Sequence, residues 1–363
     1  MLSFVGLLAL AVEITLAVRI LAGSFSAGVV GGMWFVALMA HNAALYVGAN
    51  DPQIAGQAIM GAALVWFLAR EKAGRSALPP LLLMVLAGFW KHNIIAIPAA
   101  AVLWLCLRDW RSAARPVLIS GGAAAAGLAL CGAVFGPQFF ANLLTARAYS
   151  VGHLVSQLGH LQWLALAAIL WGSWAWFDRA SYAARFTALH SAVALASCLT
   201  QWLGDGVFGN AEFDLTIALA IGLGATLARI AASPIAAAIG LNRSRVMVVV
   251  ALALRLVLSG RQESAQVLLD PQFRARYATA AAAMTAAAVS VSKIPGAVYC
   301  MKNNLICRAA GKSFVVDDFK TDQLLATGKA TEADLSAMFQ NRGITVVEGA
   351  SLTYAAAPLW QTP

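Results

Sequence analysis

Charge is scarce in this chain. Of its 363 residues only 11% are Asp, Glu, Lys or Arg and 61% are hydrophobic, against ~25% and roughly 45–50% in an ordinary soluble domain. That shortage excludes a single soluble globule, because a core holding so much apolar surface would still leave mostly apolar atoms facing water. Acid is scarcer than base, 16 residues against 25, for a net charge of +9. The excess does not describe a nucleic-acid binder, since the arginines stand in twos and threes at the ends of apolar runs and form no basic stripe. Cysteine and histidine number five each, and no Cys/His set has structural zinc spacing. The first apolar run has no basic n-region, and Glu13 and Arg19 interrupt it, so a cleavable signal peptide is a poor reading of this segment. Internal repeats and paired interrupted helices, which would suggest a secondary transporter, are missing as well.

What is present is a ladder of apolar runs, near 2–21, 27–48, 53–69, 78–90, 93–107, 116–136, 162–177, 186–203, 215–228 and 246–258. An ordinary crossing takes about 20 residues, fewer where a bundle shelters short helices. A polytopic α-helical membrane protein of about ten spans is expected. Basic residues gather on alternate connections: Arg70, Lys72 and Arg75; Arg108, Arg111 and Arg115; Arg179 and Arg185; Arg229, Arg243 and Arg245. Lys/Arg-rich short loops mark the cytoplasmic side. The alternation requires 78–107 to cross twice, as two short helices meeting outside at Lys91-His92-Asn93, and places both termini outside. The expected location is the inner (plasma) membrane. Glu13 is costly within a span and so raises a functional suspicion; a partner in the bundle or a shallow interfacial position is the plainer reading.

After Ser259 the chain becomes polar, so residues 1–259 are read as the membrane domain and 260–363 as a small extracytoplasmic α/β domain. Helices are expected at 272–291, 303–310 and from Thr331, whose first turn carries Glu332 and Asp334 where negative charge suits the helix dipole. Strands are expected at 296–299, 313–316 and 344–347, and their alternation with helices argues a parallel sheet. Cys106, Cys131 and Cys198 lie in spans and read as packing residues. Cys300 and Cys307 stand seven apart in the outer domain, where an oxidising compartment would permit a disulfide that spacing alone leaves open.

Chemistry is expected on the outer face, where polar residues concentrate. Asn50-Asp51-Pro52-Gln53 precedes the third run; Asp51 suits a helix cap, with Pro52 at the first position, as well as it suits catalysis or a metal. Lys91, with His92 and Asn93, is inexpensive at membrane depth only beside a wet cavity or an anion. Arg147 and Tyr149 follow, then His153, Gln157 and His160 at helical spacing, a stripe read more readily as the polar side of an interfacial helix than as a phosphate or metal site. Gly204-Asp205-Gly206, Asn210, Glu212 and Asp214 make an acidic, glycine-rich outer loop. Its glycines permit close approach of backbone to a ligand, or simply a turn.

Asn50-Asp51-Pro52-Gln53 opening a helix, Gly88-x-x-Lys91-His92-Asn93 with Pro98, and Gly209-Asn210 before Asp214 together resemble the GT-C glycosyltransferase superfamily. The similarity is to bacterial relatives of the protein O-mannosyltransferases and aminoarabinose lipid A transferases, and it covers most of the span from Ala49 to the C-terminus. The resemblance implies short helix pairs, an outward membrane-facing cavity, a polyprenyl-phosphate sugar donor and a lipid or glycan acceptor. It places Lys91 beside the donor phosphate and Asp51 at an acidic position on an outer loop. With His92, Asn93, Arg147, Tyr149, Asn210 and Asp214 as further substrate contacts, Asp51 is the candidate base or metal ligand. No cofactor is otherwise implied, and a divalent metal stays open. The family's long first outer loop with its acidic pair has no counterpart here. The expectation is therefore either a missing upstream segment or a protein that does not catalyse transfer; the rival is a non-enzymatic carrier of lipid-linked sugar or a partner of a complete transferase.

Overall fold

The computed structural model describes residues 2–48, 52–258 and 270–348. Asp51 therefore lies outside the described residues. The chain divides into two compact units, one of residues 1–140 and 150–261, the other of 141–149 and 262–363. The stretch 141–149, read above as part of the membrane domain, packs with the C-terminal unit.

Every apolar run falls on helix. The first unit contains α1 (Leu2–Ala22), α2 (Phe25–Asn42), α3 (Ala44–Gly48), α4 (Pro52–Lys72), α5 (Leu78–Trp90) and α6 (Ala96–Phe135). A short α7 (Pro137–Leu143) straddles the division, and α8 (Val151–Gln157), α9 (Gln162–Phe177), α10 (Tyr182–Trp202), α11 (Phe213–Arg229), α12 (Pro234–Ile239) and α13 (Leu241–Leu258) complete the unit. Among the described residues six helical stretches are long and apolar enough to cross a membrane: Leu2–Ala22, Phe25–Asn42, Pro52–Lys72, Ala96–Phe135, Val151–Phe177 and Gly209–Ala232. The chain is thus a mostly helical, multi-pass membrane protein. The other apolar runs are short, as in α5, merged into α6, or diluted by polar residues, as in α10 and α13.

At the centre, α1 packs between α2 and α4. Gly28 and Gly32 of α2 put bare backbone against Thr15 and Ala11 of α1, where any side chain would collide with main chain. Such close approach, rather than hydrophobicity, holds helices together in lipid. The shared core runs through Leu7, Leu10, Ile14, Phe35, Phe67 and Ile221.

One helix conceals a reversal. Within α6 only Asp109 has non-helical angles, φ −158° and ψ 99°. Its side chain accepts a bond from the Arg111 N–H at 3.1 Å, and the Ser112 hydroxyl donates to its carbonyl at 3.2 Å, so Asp109 caps the arm that follows. A straight helix would put Gly127 about 46 Å from Ala96 at 1.5 Å per residue. Instead Gly127 lies against the ring of Phe89, at the end of α5 beside the start of α6. The expected connection through Arg108, Arg111 and Arg115 is a one-residue break joining two antiparallel arms.

Helix ends sort accordingly. The C-termini of α1 and α4, the Asp109 break and the C-terminus of α11 share one end, which carries Arg70, Lys72, Arg108 and Arg229; we refer to it as the basic end. There Glu71 accepts bonds from Tyr182 and Arg108, and from Trp104 Nε1 at 3.4 Å, while Arg229 Nε donates to Asp178 at 2.6 Å. The opposite end gathers the N-termini of α1, α4, α6 and α11 and the C-termini of α5 and α10. We refer to this as the polar end.

In the C-terminal unit, α14 (Pro271–Ser292), β1 (Ala297–Met301), α15 (Asn304–Ala309), α16 (Asp318–Ala326), α17 (Glu332–Asn341) and β2 (Ile344–Glu348) follow in order. β1 and β2 pair in parallel, Ala297 opposite Ile344 and Met301 opposite Glu348. One face of the sheet packs Val298 and Cys300 on Ala287, Val291, Ile306 and Cys307; the other packs Tyr299 and Ile344 with Val316 and Phe339. Cys300 and Cys307 form a disulfide. The strand expected at 313–316 is absent, because the Val316 carbonyl is engaged by the Asn304 amide at 3.2 Å rather than by a neighbouring strand. Asp317, just past that run, caps α16 by accepting the Lys320 N–H at 3.1 Å. The helix expected from Thr331 is present as α17, and Thr331 and Asp334 close a capping box at its start.

Candidate functional site

The polar end of the helical unit collects most of the residues that the sequence singles out. The turn between α5 and α6 supplies Lys91, His92 and Asn93. Lys91 is the residue on which α5 stops, its N–H bonded to Ala87 O. Its side chain is half-buried over Gly56 of α4, where an added Cβ would lie 3.3 Å from the Lys91 Cβ and 3.1 Å from the Trp90 ring. Trp90 Nε1 donates to Pro52 O at 3.1 Å and fixes the turn onto the first residues of α4. His92 is exposed and Asn93 is half-buried.

Asn93 continues the cluster into α10. Its Nδ2 donates to Gln201 Oε1 at 3.1 Å, and Gln201 Nε2 donates to Ser197 Oγ at 3.1 Å. The Asn93 side-chain oxygen is buried and accepts nothing among the described residues. A buried amide oxygen left this way costs roughly 1–3 kcal/mol, so the position is held at the expense of stability.

Next along the same end is Asp214, in the first turn of α11 and 3% exposed. Gln57 Nε2 of α4 donates to its Oδ1 at 3.1 Å, and the backbone N–H of Ala96, the first residue of α6, is directed at the same carboxylate. Ile95, at the cap position of α6, offers no side-chain bond; Asp214 substitutes from another helix, where negative charge meets the helix dipole. One carboxylate thus joins α4, α6 and α11. Gln57 follows Gly56, so Lys91 and Asp214 meet the same turn of α4.

Glu212 stands two residues before Asp214 at the close of the 3₁₀ turn Gly209–Glu212, and is 7% exposed. Its Oε2 is buried and takes no hydrogen bond among the described residues. Its Oε1 and His160 Nδ1 lie 3.5 and 4.0 Å from the point where a side chain on Gly209 would begin. Glu212 and His160 therefore flank the bare backbone of that glycine. Asn210 sits half-buried in the same turn. The acidic loop looked in sequence like an exposed turn, and nothing there distinguished Glu212 from its neighbours; burial does.

His153, Gln157 and His160 do not share one helical face, because α8 ends at Gln157 and passes into the 3₁₀ turn Leu158–Leu161. Both histidines converge on Trp202: His153 Nδ1 is 2.7 Å from Trp202 O, and the His160 ring lies 6.2 Å from the indole. Among the described residues no three His, Cys, Asp or Glu come together as a metal site.

Arg147 and Tyr149 are carried by the C-terminal unit instead. The Arg147 guanidinium lies 5.2 Å over the Phe319 ring of α16. The Ala148 N–H donates to Gln323 at 2.7 Å and Lys320 Nζ donates to Asn142 at 2.7 Å. Tyr149 is 71% exposed. Of the residues singled out in the sequence, Lys91, Asn93 and Asp214 thus lie with Gln57 and Gln201 around the starts of α4 and α6, Asn210 lies with Glu212 in the turn before α11, and Asp51 lies outside the described residues. No family model, curated protein or solved structure matches this chain.

Proposed function

We propose that this chain is a GT-C glycosyltransferase-like membrane protein that binds a polyprenyl-phosphate-linked sugar at the polar end of its helical unit. The observation that carries the reading is the meeting of a lysine and a buried acid, Lys91 and Asp214, on the same turn of α4, with a second buried acid, Glu212, two residues before Asp214. On this reading the basic end is cytoplasmic, the polar end faces outward, the ten apolar runs all cross or re-enter the membrane, and the C-terminal unit is extracytoplasmic. A disulfide in that unit accords with an oxidising compartment.

The chemistry of such a site is simple to assign. The Lys91 ammonium takes the phosphate as a charge-assisted hydrogen-bond donor. The Asn93 oxygen accepts from a sugar hydroxyl. The acceptor hydroxyl loses its proton to a carboxylate as its oxygen bonds to the anomeric carbon, while the bond from that carbon to phosphate oxygen breaks and polyprenyl phosphate leaves with the electron pair. Asp214 is already held by Gln57 and the start of α6, so it acts as a brace; Glu212, with an oxygen to spare, and Asp51 are the carboxylates available as base.

Binding and turnover by the full chain in nanodiscs test the proposal. Lys91→Ala should weaken polyprenyl-phosphate binding roughly 10- to 150-fold, the equivalent of a lost charge-assisted contact of about 1.5–3 kcal/mol. Cys106→Ala serves as the control and should bind as the parent does. Equal affinity of Lys91→Ala and parent at matched folding would reject the site. Binding without sugar release would make the protein a carrier of the lipid-linked sugar; release abolished by Glu212→Gln or Asp51→Asn identifies the base.

A further inference from the structure

The basic end holds a feature that the proposed sugar site does not use. Between the last turns of α1 and α4 runs an open groove of about 470 Å³, lined by Leu16, Arg19 and Ile20 on one side and Ala69, Lys72 and Ala73 on the other. Its floor is carbon, and its only charges are the two cations. Lys72 Nζ donates to Ile20 O at 2.9 Å, so the ammonium is held over the end of α1, and it makes no other hydrogen bond among the described residues. Arg19 is exposed and has no ion-pair partner among the described residues.

At the same end Arg108 is paired with Glu71, Arg229 with Asp178, Arg70 Nε donates to Ser76 O at 2.5 Å, and Arg245 Nε donates to Leu227 O at 3.2 Å. Each of those guanidiniums is engaged by protein. Arg19 and Lys72, 53 residues apart in sequence, border the same apolar walls at the ends of α1 and α4. Ordinary snorkelling accounts for one cation reaching toward water. It does not account for two cations from different helices bordering one apolar groove.

We infer that this groove binds an anionic phospholipid of the leaflet facing the basic end. The phosphate is held between Arg19 and Lys72, and the first methylenes of an acyl chain lie along Leu16, Ile20, Ala69 and Ala73. Arg19 supplies the planar fork suited to phosphate oxygens, and Lys72 a point charge already positioned by its bond to Ile20. A zwitterionic lipid offers the same carbon but carries its own cation against the pair.

The full chain, delipidated in detergent and titrated with short-chain phosphatidylglycerol, phosphatidylcholine and inorganic phosphate, tests the inference. The parent should prefer phosphatidylglycerol over phosphatidylcholine by about thirtyfold, since each cation near the surface contributes about fivefold. Arg19→Gln with Lys72→Gln should abolish that preference, and Arg245→Gln, at the same end but outside the groove, should keep it. Ala69→Phe, which fills the groove and leaves both charges, should weaken phosphatidylglycerol at least tenfold, and it serves where the double variant misfolds. Equal binding of the two lipids by the parent, loss of preference in Arg245→Gln, or full retention in Ala69→Phe would each overturn the inference. Inorganic phosphate binding as tightly as the lipid would overturn it in favour of a bare anion site.

Discussion

The carboxylate of Glu13 on α1 rests against the bare backbone of Gly61 on α4, in the place where a side chain on Gly61 would have to go. Glu13 Oε2 is buried there with no hydrogen bond among the described residues. The first prediction is a coupling. Gly61→Ala alone should cost about 1–3 kcal/mol by overpacking. In a Glu13→Ala background the same change should be neutral, or stabilising by up to about 1 kcal/mol through helix propensity. A double-mutant cycle in SDS unfolding reads this directly, and additive effects would show that the two residues do not share the space.

The second prediction concerns the brace at the polar end. Gln57→Leu removes the side-chain donor to Asp214 and leaves a buried carboxylate one bond short, at a cost of about 1–3 kcal/mol. The loss should appear as a lowered unfolding midpoint in the same denaturation assay. A variant as stable as the parent would mean that Asp214 is satisfied without α4.

A third prediction is a count of thiols. In denaturant without reductant, alkylation should modify Cys106, Cys131 and Cys198 only, with Cys300 and Cys307 joining after reduction. Opening that short loop should destabilise the C-terminal unit by about 2–3 kcal/mol, seen as faster limited proteolysis of residues beyond 270. Five reactive thiols before reduction would contradict the bridge.

The fourth concerns orientation. Single cysteines at His92 and Ala330 should react with a membrane-impermeant maleimide in intact cells, and one at Ser76 only after permeabilisation, following the alternation of basic loops. Labelling in the reverse order would invert the topology and move the proposed sugar site to the cytoplasmic side.

The fifth is a pH dependence in α17. The Thr331 hydroxyl, and then the Thr331 N–H, donate to the Asp334 carboxylate and hold it below the usual carboxylate range. A depressed folded value means that the ionised box supports the helix above the ordinary carboxylate range, and that the support is lost as pH falls through the lower value. Hydrogen exchange over 332–341, corrected for intrinsic rate, should therefore quicken in acid in the parent and stay flat in Asp334→Asn. Parallel profiles would remove Asp334 as the cause.

Much of the helical framework was legible because lipid leaves the backbone little choice: an apolar run must satisfy its own N–H and C=O groups, so every run became helix. Direction was legible where charge marks the ends, as at Arg108, Arg111 and Arg115. The economy of the Asp109 break was not, since reversing a helix in one residue leaves no loop composition to read. In the C-terminal unit the 313–316 run alternates like a strand, yet Asn304 takes its carbonyl, a competition that no local pattern reveals. At the site, Lys91 and Asp214 stood out as charges next to apolar runs. The Asn93–Gln201 bond spans 108 positions, and the burial of Glu212 depends on α10 and α8 packing over its turn, so neither could be read from neighbours in sequence. Arg147 followed the same local logic as Lys91, but Phe319 holds it in the other unit.

The shortness of α5 has a consequence for the lipid around it. Its 13 residues reach about 20 Å at 1.5 Å each, and the arm of α6 before Asp109 is no longer, whereas a bilayer's hydrocarbon layer is ~30 Å thick. The flank built from these two elements is under-length, so the membrane must pinch inward against it or bear hydrophobic mismatch there. The protein should accordingly partition toward thin, short-chain membranes and lose partition as acyl chains lengthen, a sorting behaviour set by one helix about ten ångströms too short.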